Sequence, residues 1–580
     1  MLPYVYVSGD VFNRTFRLGD MLKNGNNQLF VRYQQYLETP EGYTSADSTT
    51  LADNPNARYL GNQGRLYTRY RYTYYNNVSF GVTGEKDQGE EFFKGTQKNG
   101  YDFYSAHFYL KNAGILKSLA LGDYHVQFGQ GLTFWSGIGF GKSADAVSVR
   151  KNATGIRPYT SVDENLFMRG IAGTIALKGF EFSAFFSYKK RDGSLTQALD
   201  TLDNEEDQIF VTSMLETGYH RTPSELEKKH SLGELIYGGN LTYRRRAFSV
   251  GATAVRTELS HELNRDLYLY NQFDFSGKEN LNTGIDYSYI FRNISFFGEV
   301  SRSQNGALGY LNGAVFSLDP RLSLSVLHRH YDIDFQSLYT TGFGESSNVA
   351  NEDGLFIGLM ATPVPAWKFT AFADNFSSPW LKYRVNAPSR GFDYLVQATY
   401  KPSKTFEMYA RYRNKTKSLN NSDVTSGIYY PEKTEKENYR YEVKYKVSDD
   451  FLLKNRLEYI TYAVGSEAYK GFTIYQDVQY KPRKKPFSVT LRYALFDTDN
   501  YDTRIYVYEN DVLYASSFPS YYYKGSRTYV LVNYDLSRHV ELWLRWAQTY
   551  YSDHNTIGSG LDEIKSNTRN EIKVQLRVKF

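Results

Sequence analysis

Gly141-Lys142-Ser143 are residues of the types that hold a nucleotide phosphate, and they end the stretch FGQGLTFWSGIGFGKS at 128–143. A phosphate-binding loop needs a further glycine five positions before Gly141, between a strand and a helix. Position 136 is a serine, and no helical pattern follows. The sequence therefore argues against nucleotide binding, and we expect no cofactor.

Two other groups of residues are candidate metal ligands. His328 and His330 lie on one face of a predicted strand, but two imidazoles alone do not complete a site. The acidic residues at 200–207 offer oxygen ligands for Ca²⁺, although their spacing matches no EF-hand. We favour lumen-lining or interfacial histidines and a solvated acidic loop. Because no catalytic trio around a histidine can be selected, we expect no enzymatic activity.

The elements that must position these residues are strands. From Ile572 to Phe580 every second residue is apolar, and polar or basic residues stand between them. Such alternation places successive side chains on opposite faces of a strand. An aromatic C-terminus after an alternating strand resembles the signal by which outer-membrane barrels are recognised for assembly.

The composition extends this interpretation to the whole chain. Aromatic residues make up 17% of the 580 residues, yet the mean hydropathy is −0.54. The sequence contains no run of ~18 apolar residues, so we predict no transmembrane helix. A transmembrane β-barrel needs only every second residue to be apolar, and aromatic girdles mark its two interfaces. The net charge of +5 does not by itself indicate a polyanionic partner.

Short turns and longer loops alternate along the chain. Their number predicts an all-β fold, a transmembrane antiparallel outer-membrane β-barrel of about 24 strands, within a range of about 22–26. We assign the barrel to 27–580 and a periplasmic N-terminal segment to 1–26, with both termini periplasmic. The strand-like stretches 268–275 and 505–514 are assigned to loops. A soluble propeller is disfavoured because no blade repeat is present.

The loop at 126–166 is long and rich in glycine and aromatic residues. Barrels wider than porins carry plugs, so we predict that this loop folds inward as a plug or constriction; an outward surface loop is the alternative. The candidate plug residues are Phe128, Gly129, Gly131, Phe134, Trp135, Gly137, Gly139, Phe140, Gly141, Lys142, Arg150 and Arg157.

Charged residues recur on one face of the predicted strands and would line a polar lumen. Charged side chains set the selectivity of pores, so an anion-attracting pore is one interpretation. Mutual ion pairing is the other. The predicted lumen-lining residues are Arg65, Arg69, Arg71, Glu407, Arg411, Arg440, Glu442, Lys444, Glu541 and Arg545.

A short helix is predicted in the long extracellular loop at 191–231. Thr222-Pro223-Ser224-Glu225 combines a capping box with proline at the first helical position, so a helix should run to about His230.

Three stretches resemble one family: LALGDYHVQFGQGLTFWSGIGFGKSADAV at 119–147, GIRPYTSVDENLFMRG at 155–170 and HRTPSELEKKHSL at 220–232. The family comprises Bacteroidota outer-membrane proteins that contain helix-hairpin-helix domains, and the resemblance spans nearly the whole chain. Leu2-Pro3-Tyr4-Val5 resembles the point where those N-terminal hairpins meet the barrel. The hairpins themselves, which bind DNA in competence receptors, do not occur in this sequence. The resemblance implies a role in DNA uptake by analogy only.

We predict a gated or plugged outer-membrane channel or translocation protein of unknown substrate. A sealed scaffold barrel within an outer-membrane protein complex is the alternative, and a DNA-uptake barrel is a lesser one. The expected partners are outer-membrane lipid or lipopolysaccharide, other envelope proteins, and DNA by analogy. The first residues lack the pattern of a secretory signal, so we expect a processed or truncated chain.

Overall fold

The computed structural model describes residues 18–139, 141–198, 208–421 and 429–580. Within them, 24 strands form one closed antiparallel wall. The strands are β1 (Asn26–Tyr36), β2 (Arg65–Tyr74), β3 (Val78–Lys86), β4 (Phe103–Ala113), β5 (Leu116–Gln127), β6 (Met168–Leu177), β7 (Phe180–Arg191), β8 (Leu232–Arg245), β9 (Phe248–Leu263), β10 (Gly277–Phe291), β11 (Ile294–Arg302), β12 (Leu308–Asp319), β13 (Leu322–Tyr331), β14 (Glu352–Ala361), β15 (Trp367–Ser378), β16 (Ser389–Tyr400), β17 (Phe406–Asn420), β18 (Pro431–Lys446), β19 (Phe451–Val464), β20 (Glu467–Tyr480), β21 (Phe487–Thr498), β22 (Lys524–Asp535), β23 (Val540–Tyr551) and β24 (Thr568–Lys579).

The first and last strands close the barrel. β1 pairs with β24 from Gln28–Lys579 to Tyr36–Glu571. The backbones of Asn27 and Phe580 exchange hydrogen bonds of 3.1 and 3.2 Å, at the end of the terminal strand. The predicted fold class and strand number are therefore confirmed. The stretch 268–275 contains no strand. Ile505–Tyr506 is a two-residue strand that pairs with Ser520–Tyr521 in a small sheet separate from the barrel wall.

The two faces of the wall differ as the alternation predicts. Along β7, Phe182 and Phe186 are about half exposed on the outer face, at 54% and 48%, whereas Ser183 and Phe185 are buried on the inner face. All main-chain groups in the interior of such a wall pair with neighbouring strands, which hydrocarbon requires because it offers no hydrogen bonds. The outer face is thus suited to lipid.

The connections differ in length at the two ends of the barrel. The termini share one end with the short turns, and the long loops occupy the other, which is the extracellular end in barrels of this type. Three short α-helices occur in the described chain, namely α1 (Leu18–Asn24), α2 (Ser48–Asp53) and α3 (Pro223–Lys228). None of the helices among the described residues is long and apolar enough to cross a membrane.

The predicted helix in the loop between β7 and β8 is α3. The hydroxyl of Thr222 accepts a hydrogen bond from the backbone N–H of Glu225, as an N-cap should. The helix ends at Lys228, two residues before the predicted end. His230 follows with a φ of 54°, a left-handed conformation that no helix continues.

Candidate functional site

The inside of the barrel contains three loops that turn inward from the extracellular end. The first luminal loop (128–167) joins β5 to β6. Its aromatic residues Phe128 and Phe134 are buried against Phe185 of the wall, with ring centroids 6.3 and 5.3 Å from it. Glycine and aromatic residues alternate in this loop, so its backbone packs closely while its rings bury apolar surface.

A wall carboxylate holds the tight turn at the start of the first luminal loop. Glu299 of β11 accepts hydrogen bonds from the backbone N–H groups of Gln130, Leu132 and Thr133, at 2.5, 3.1 and 2.8 Å. Gly129 occupies the left-handed region at φ 56°, and a Cβ there would lie 2.5 Å from Oε2 of Glu299. Glycine is required at this position for both reasons.

Lys142 anchors the middle of the same loop to the opposite part of the wall. Its Nζ lies 2.7 Å from Asp374 of β15, 3.2 Å from Asp393 of β16 and 2.5 Å from Glu345. Burial would lower the pKa of this ammonium, but the three carboxylates raise it above its usual value. The lysine that resembles a phosphate-loop residue thus binds acidic side chains of its own protein.

These anchors show how far the first luminal loop extends. The loop leaves β5 and reaches β16, which is eleven strands away along a wall of 24. The loop therefore reaches strands that lie on the far side of the wall when counted along the sheet. Between the ends, the carbonyl of Ala146 accepts a 2.7 Å hydrogen bond from Ser325 of β13.

The second luminal loop (332–351) joins β13 to β14 and lies against the first. The backbone N–H of Thr341 donates to Gly131 at 2.9 Å, and that of Trp135 donates to Tyr339 at 3.0 Å. The hydroxyl of Tyr339 donates to the buried Glu234 of β8 at 2.6 Å. From its sequence, this segment is predicted only as one of the longer connections.

The third luminal loop (499–523) joins β21 to β22 and covers the wall near the barrel seam. Its Glu509 is fully buried and accepts hydrogen bonds from Arg527 at 3.0 Å, from Tyr521 at 3.0 Å and from Arg545. Asp511 forms an ion pair of 2.7 Å with Lys573 of β24. This loop also appeared in the sequence only as a long connection.

The structure brings most of the predicted plug residues into the lumen. Phe128, Phe134 and Trp135 are buried; Gly139, Gly141 and Arg157 are exposed. Arg150 donates to Ser295 of β11 at 3.3 Å. Phe140 lies outside the described residues, as do the acidic residues at 200–207. The wall partners Glu299, Asp374 and Asp393 were missed because they come from strands distant in sequence.

The predicted lumen-lining residues lie on several strands and do not form one site. Most hold a neighbouring partner on the wall: Arg440 lies 2.7 Å from Glu458, Glu442 lies 2.5 Å from Arg456, and Glu541 pairs with Arg577. Arg69 and Arg71 have no carboxylate within ion-pair distance in the described part of the chain. The remaining predicted residues lie on β2, β17, β18 and β23, and they are Arg65, Glu407, Arg411, Lys444 and Arg545.

The two histidines considered for a metal site lie on the outer face of β13, because Leu327 and Arg329 between and beside them are buried inside. His330 hydrogen-bonds to Asp353 and, at 3.0 Å, to Asp332. His328 lies beside Tyr310, with ring centroids 5.9 Å apart. This aromatic and polar setting at the extracellular end of a strand fits the interfacial position.

A cluster of ionisable groups joins three extracellular loops. Nδ1 of His220 lies 2.5 Å from Asp102 and Nε2 lies 2.8 Å from Asp192. Burial would lower the pKa of His220, but hydrogen bonds and charges from the two aspartates raise it to about 10. Burial and the charge of Asp102 raise the pKa of nearby Glu164 to about 9. The backbone N–H of His220 also donates to Glu90 at 3.1 Å, and we name this cluster the loop junction.

The closed wall, its apolar exterior and its polar, filled interior define a β-barrel of the bacterial outer membrane. Comparisons of the sequence with family models and with curated proteins find no match.

Among solved structures, the siderophore receptor PirA from Acinetobacter baumannii matches with a TM-score of 0.46 and 7% identity over 96% of this chain and 80% of that chain. PirA from Pseudomonas aeruginosa matches with a TM-score of 0.43 and 8% identity over 96% of this chain and 80% of that chain. The outer membrane transporter YddB from Escherichia coli matches with a TM-score of 0.42 and 8% identity over 96% of this chain and 81% of that chain.

Proposed function

We propose that the protein is a gated transport barrel of the outer membrane, in which the first luminal loop is the movable barrier. The observation that carries this proposal is the course of that loop across the lumen from β5 to β16. Porins with 16–18 strands already enclose an aqueous channel, and 22-stranded transporters hold a plug. A wall of 24 strands encloses at least as wide a lumen.

The way in which the loop is held supports a barrier that can move. It is held at Glu299 and Lys142 by hydrogen bonds and ion pairs with the wall. Buried ion pairs add little net stability compared with apolar packing, because desolvation offsets much of their attraction. A cargo or partner that competes for these polar contacts would weaken the attachment of the loop, which then depends on apolar packing such as that of Phe128 and Phe134 against Phe185.

Conductance in a planar lipid bilayer tests this proposal. We expect small currents from the wild type and large, porin-like openings from the double variant Glu299→Gln, Lys142→Met. Lys444→Met is the control, because Lys444 is an exposed residue of the inner face with no ion pair to a luminal loop in the described chain. A double variant that stays folded and conducts no more than the wild type would contradict a movable barrier.

The same preparations separate transport from scaffolding. A scaffold predicts low conductance in every variant and an envelope protein that co-purifies in a fixed ratio. DNA as cargo stays a prediction from the family resemblance. If it is correct, uptake should weaken steeply with salt, since phosphate contacts release counterions.

A further inference from the structure

Two adjoining cavities lie at the extracellular end of the barrel seam, beside the wall formed by β24, β1 and β2, and the third luminal loop lines the larger of them. Their volumes are about 470 and 300 Å³, and they share Gln34, Tyr36, Arg65 and Arg569 among their lining residues. Ligand pockets in proteins usually measure ~300–1,000 Å³. We name the two together the seam cavity.

The acidic residues of the seam cavity all lie beside cations, and Arg65 serves two of them. Each of its five carboxylates has a cation within 4 Å. The pairs are Glu85 with Arg65 at 2.6 Å, Asp87 with Arg65 at 2.9 Å, Asp511 with Lys573 at 2.7 Å, Glu571 with Arg545 at 2.7 Å, and Asp562 with Arg221 at 3.6 Å.

Two arginines of the seam cavity remain without such a partner among the described residues. The guanidinium of Arg32 donates only to neutral acceptors, Gln575 at 2.8 Å and the carbonyl of Leu513 at 3.1 Å. Arg569 lies over the ring of Tyr36, 5.1 Å from its centroid. The residues that line the two cavities include six arginines and lysines and five carboxylates, an excess of one positive charge, beside aromatic faces.

A third uncompensated guanidinium lies directly below, towards the periplasm. Arg69 is 7% exposed and lies between the rings of Phe30 and Tyr514, 4.8 Å from each centroid. Its Nε is buried and has no hydrogen-bond partner among the described residues. An anion bound in the seam cavity would lie near this charge, and Tyr514 at the tip of the third luminal loop separates the two.

We propose that the seam cavity binds an elongated small polyanion that carries sulfate, carboxylate or phosphate groups on ring-bearing units. Guanidinium groups bind such anions in a bidentate manner, and tyrosine rings cover the faces of planar or cyclic units. Arg32 lies opposite Gln575, six positions along β24 from Arg569. At ~3.3 Å per residue, the two backbones are on the order of 20 Å apart, so one ligand must reach along the wall.

The inference names the cargo class of the proposed transporter and rests on that function only in treating the bound polyanion as cargo. Isothermal titration of the detergent-solubilised full chain tests the binding step. The probes are a sulfated heparin tetrasaccharide, inorganic tripolyphosphate and neutral maltotetraose. We expect the sulfated tetrasaccharide to bind with an affinity that falls as salt increases, and maltotetraose not to bind.

Substitutions locate the binding. Arg32→Gln and Arg569→Gln should each weaken sulfated-tetrasaccharide binding at least tenfold, and the double variant at least a hundredfold. Arg32→Lys and Arg569→Lys should lose less, because they keep the charge. Arg440→Gln is the control, since Arg440 faces the lumen on β18 and pairs with Glu458, outside the seam cavity. Circular dichroism confirms that each variant retains its strands.

The outcomes separate the two proposals. Absence of binding by both anionic probes, or equal affinity in the wild type and the double glutamine variant, would overturn the seam cavity as a site. Arginine-dependent binding by a barrel that never conducts would support the site and contradict transport. Tripolyphosphate binding as tight as that of the tetrasaccharide would show that anionic groups suffice; weaker binding would show that ring contacts contribute.

Discussion

The carboxylate of Glu299, on the barrel wall, accepts a hydrogen bond of 2.8 Å from the backbone N–H of Thr133 at the turn of the first luminal loop. Replacing Glu299 by glutamine removes the negative charge and presents an amide to backbone donors. A hydrogen bond to a charged group contributes about 1.5–3 kcal/mol. We therefore expect the turn to open roughly 10- to 100-fold more often. Hydrogen exchange of peptides that cover 128–139 measures this opening.

Glu541→Gln is the matched control for this experiment. Glu541 is also an inward-facing carboxylate, but it pairs with Arg577 and Lys579 of the wall rather than with a loop. Exchange at 128–139 should match the wild type in this variant. Equal acceleration in the two variants would mean that general loosening of the barrel, not the turn, is responsible.

Substitution by alanine should have an effect at one glycine of the first luminal loop and no effect at another. Gly129 has a φ of 56°, and an added Cβ would meet Glu299, whereas a Cβ at Gly141 would meet no atom of the described part of the chain within 4 Å. A left-handed conformation costs an L-residue about 1–2 kcal/mol. Gly129→Ala should therefore release the turn, and Gly141→Ala should leave exchange and conductance unchanged. Release by both substitutions would show that loop mobility, not this contact, controls opening.

The wall was predictable from sequence because each strand carries its own signal. The alternation in β24 and the short turns, such as Lys178-Gly179, fix strand number and orientation locally. In the first luminal loop, the glycine and aromatic pattern indicated an inward course, because aromatic side chains are stabilised when they pack against other apolar surface away from water. These features depend on neighbours in sequence, which a single chain displays.

The partners of the loops were not predictable by the same means. Lys142 meets Asp374 and Asp393, which lie more than 200 residues later and resemble any other polar residue of an inner strand face. The third luminal loop was missed although its Ile505–Tyr514 stretch alternates. Alternation indicates extended backbone. Whether such a segment joins the wall or folds inside depends on partners on other strands of the wall, such as Lys573 of β24 for Asp511.

The loop junction should loosen as pH rises. The pKa of Glu164 is raised to about 9 and that of Glu90 to about 8, in each case chiefly by burial. A carboxyl group whose pKa is higher in the folded than in the unfolded protein stabilises the folded state. This stabilisation is complete below about pH 4.5 and is lost as the pH rises through the pKa that the group has in the folded protein. Asp102 and Asp192 have lowered pKa values and contribute in the opposite sense, so their stabilisation is lost below about pH 4. The junction should therefore be tightest between about pH 4, below which the aspartates become protonated, and about pH 8, where Glu90 loses its proton.

A spin label on α3 measures this loosening. The sequence contains no cysteine, so Glu227→Cys, at an exposed position of the helix, gives a unique labelling site. The label should be immobile at pH 6 and mobile near pH 9. Adding Glu164→Gln keeps this side chain neutral at every pH, so the transition should shrink to the parts that Glu90, with a pKa of about 8, and His220, with a pKa of about 10, contribute. An unchanged transition in this variant would mean that Glu164 does not control the junction.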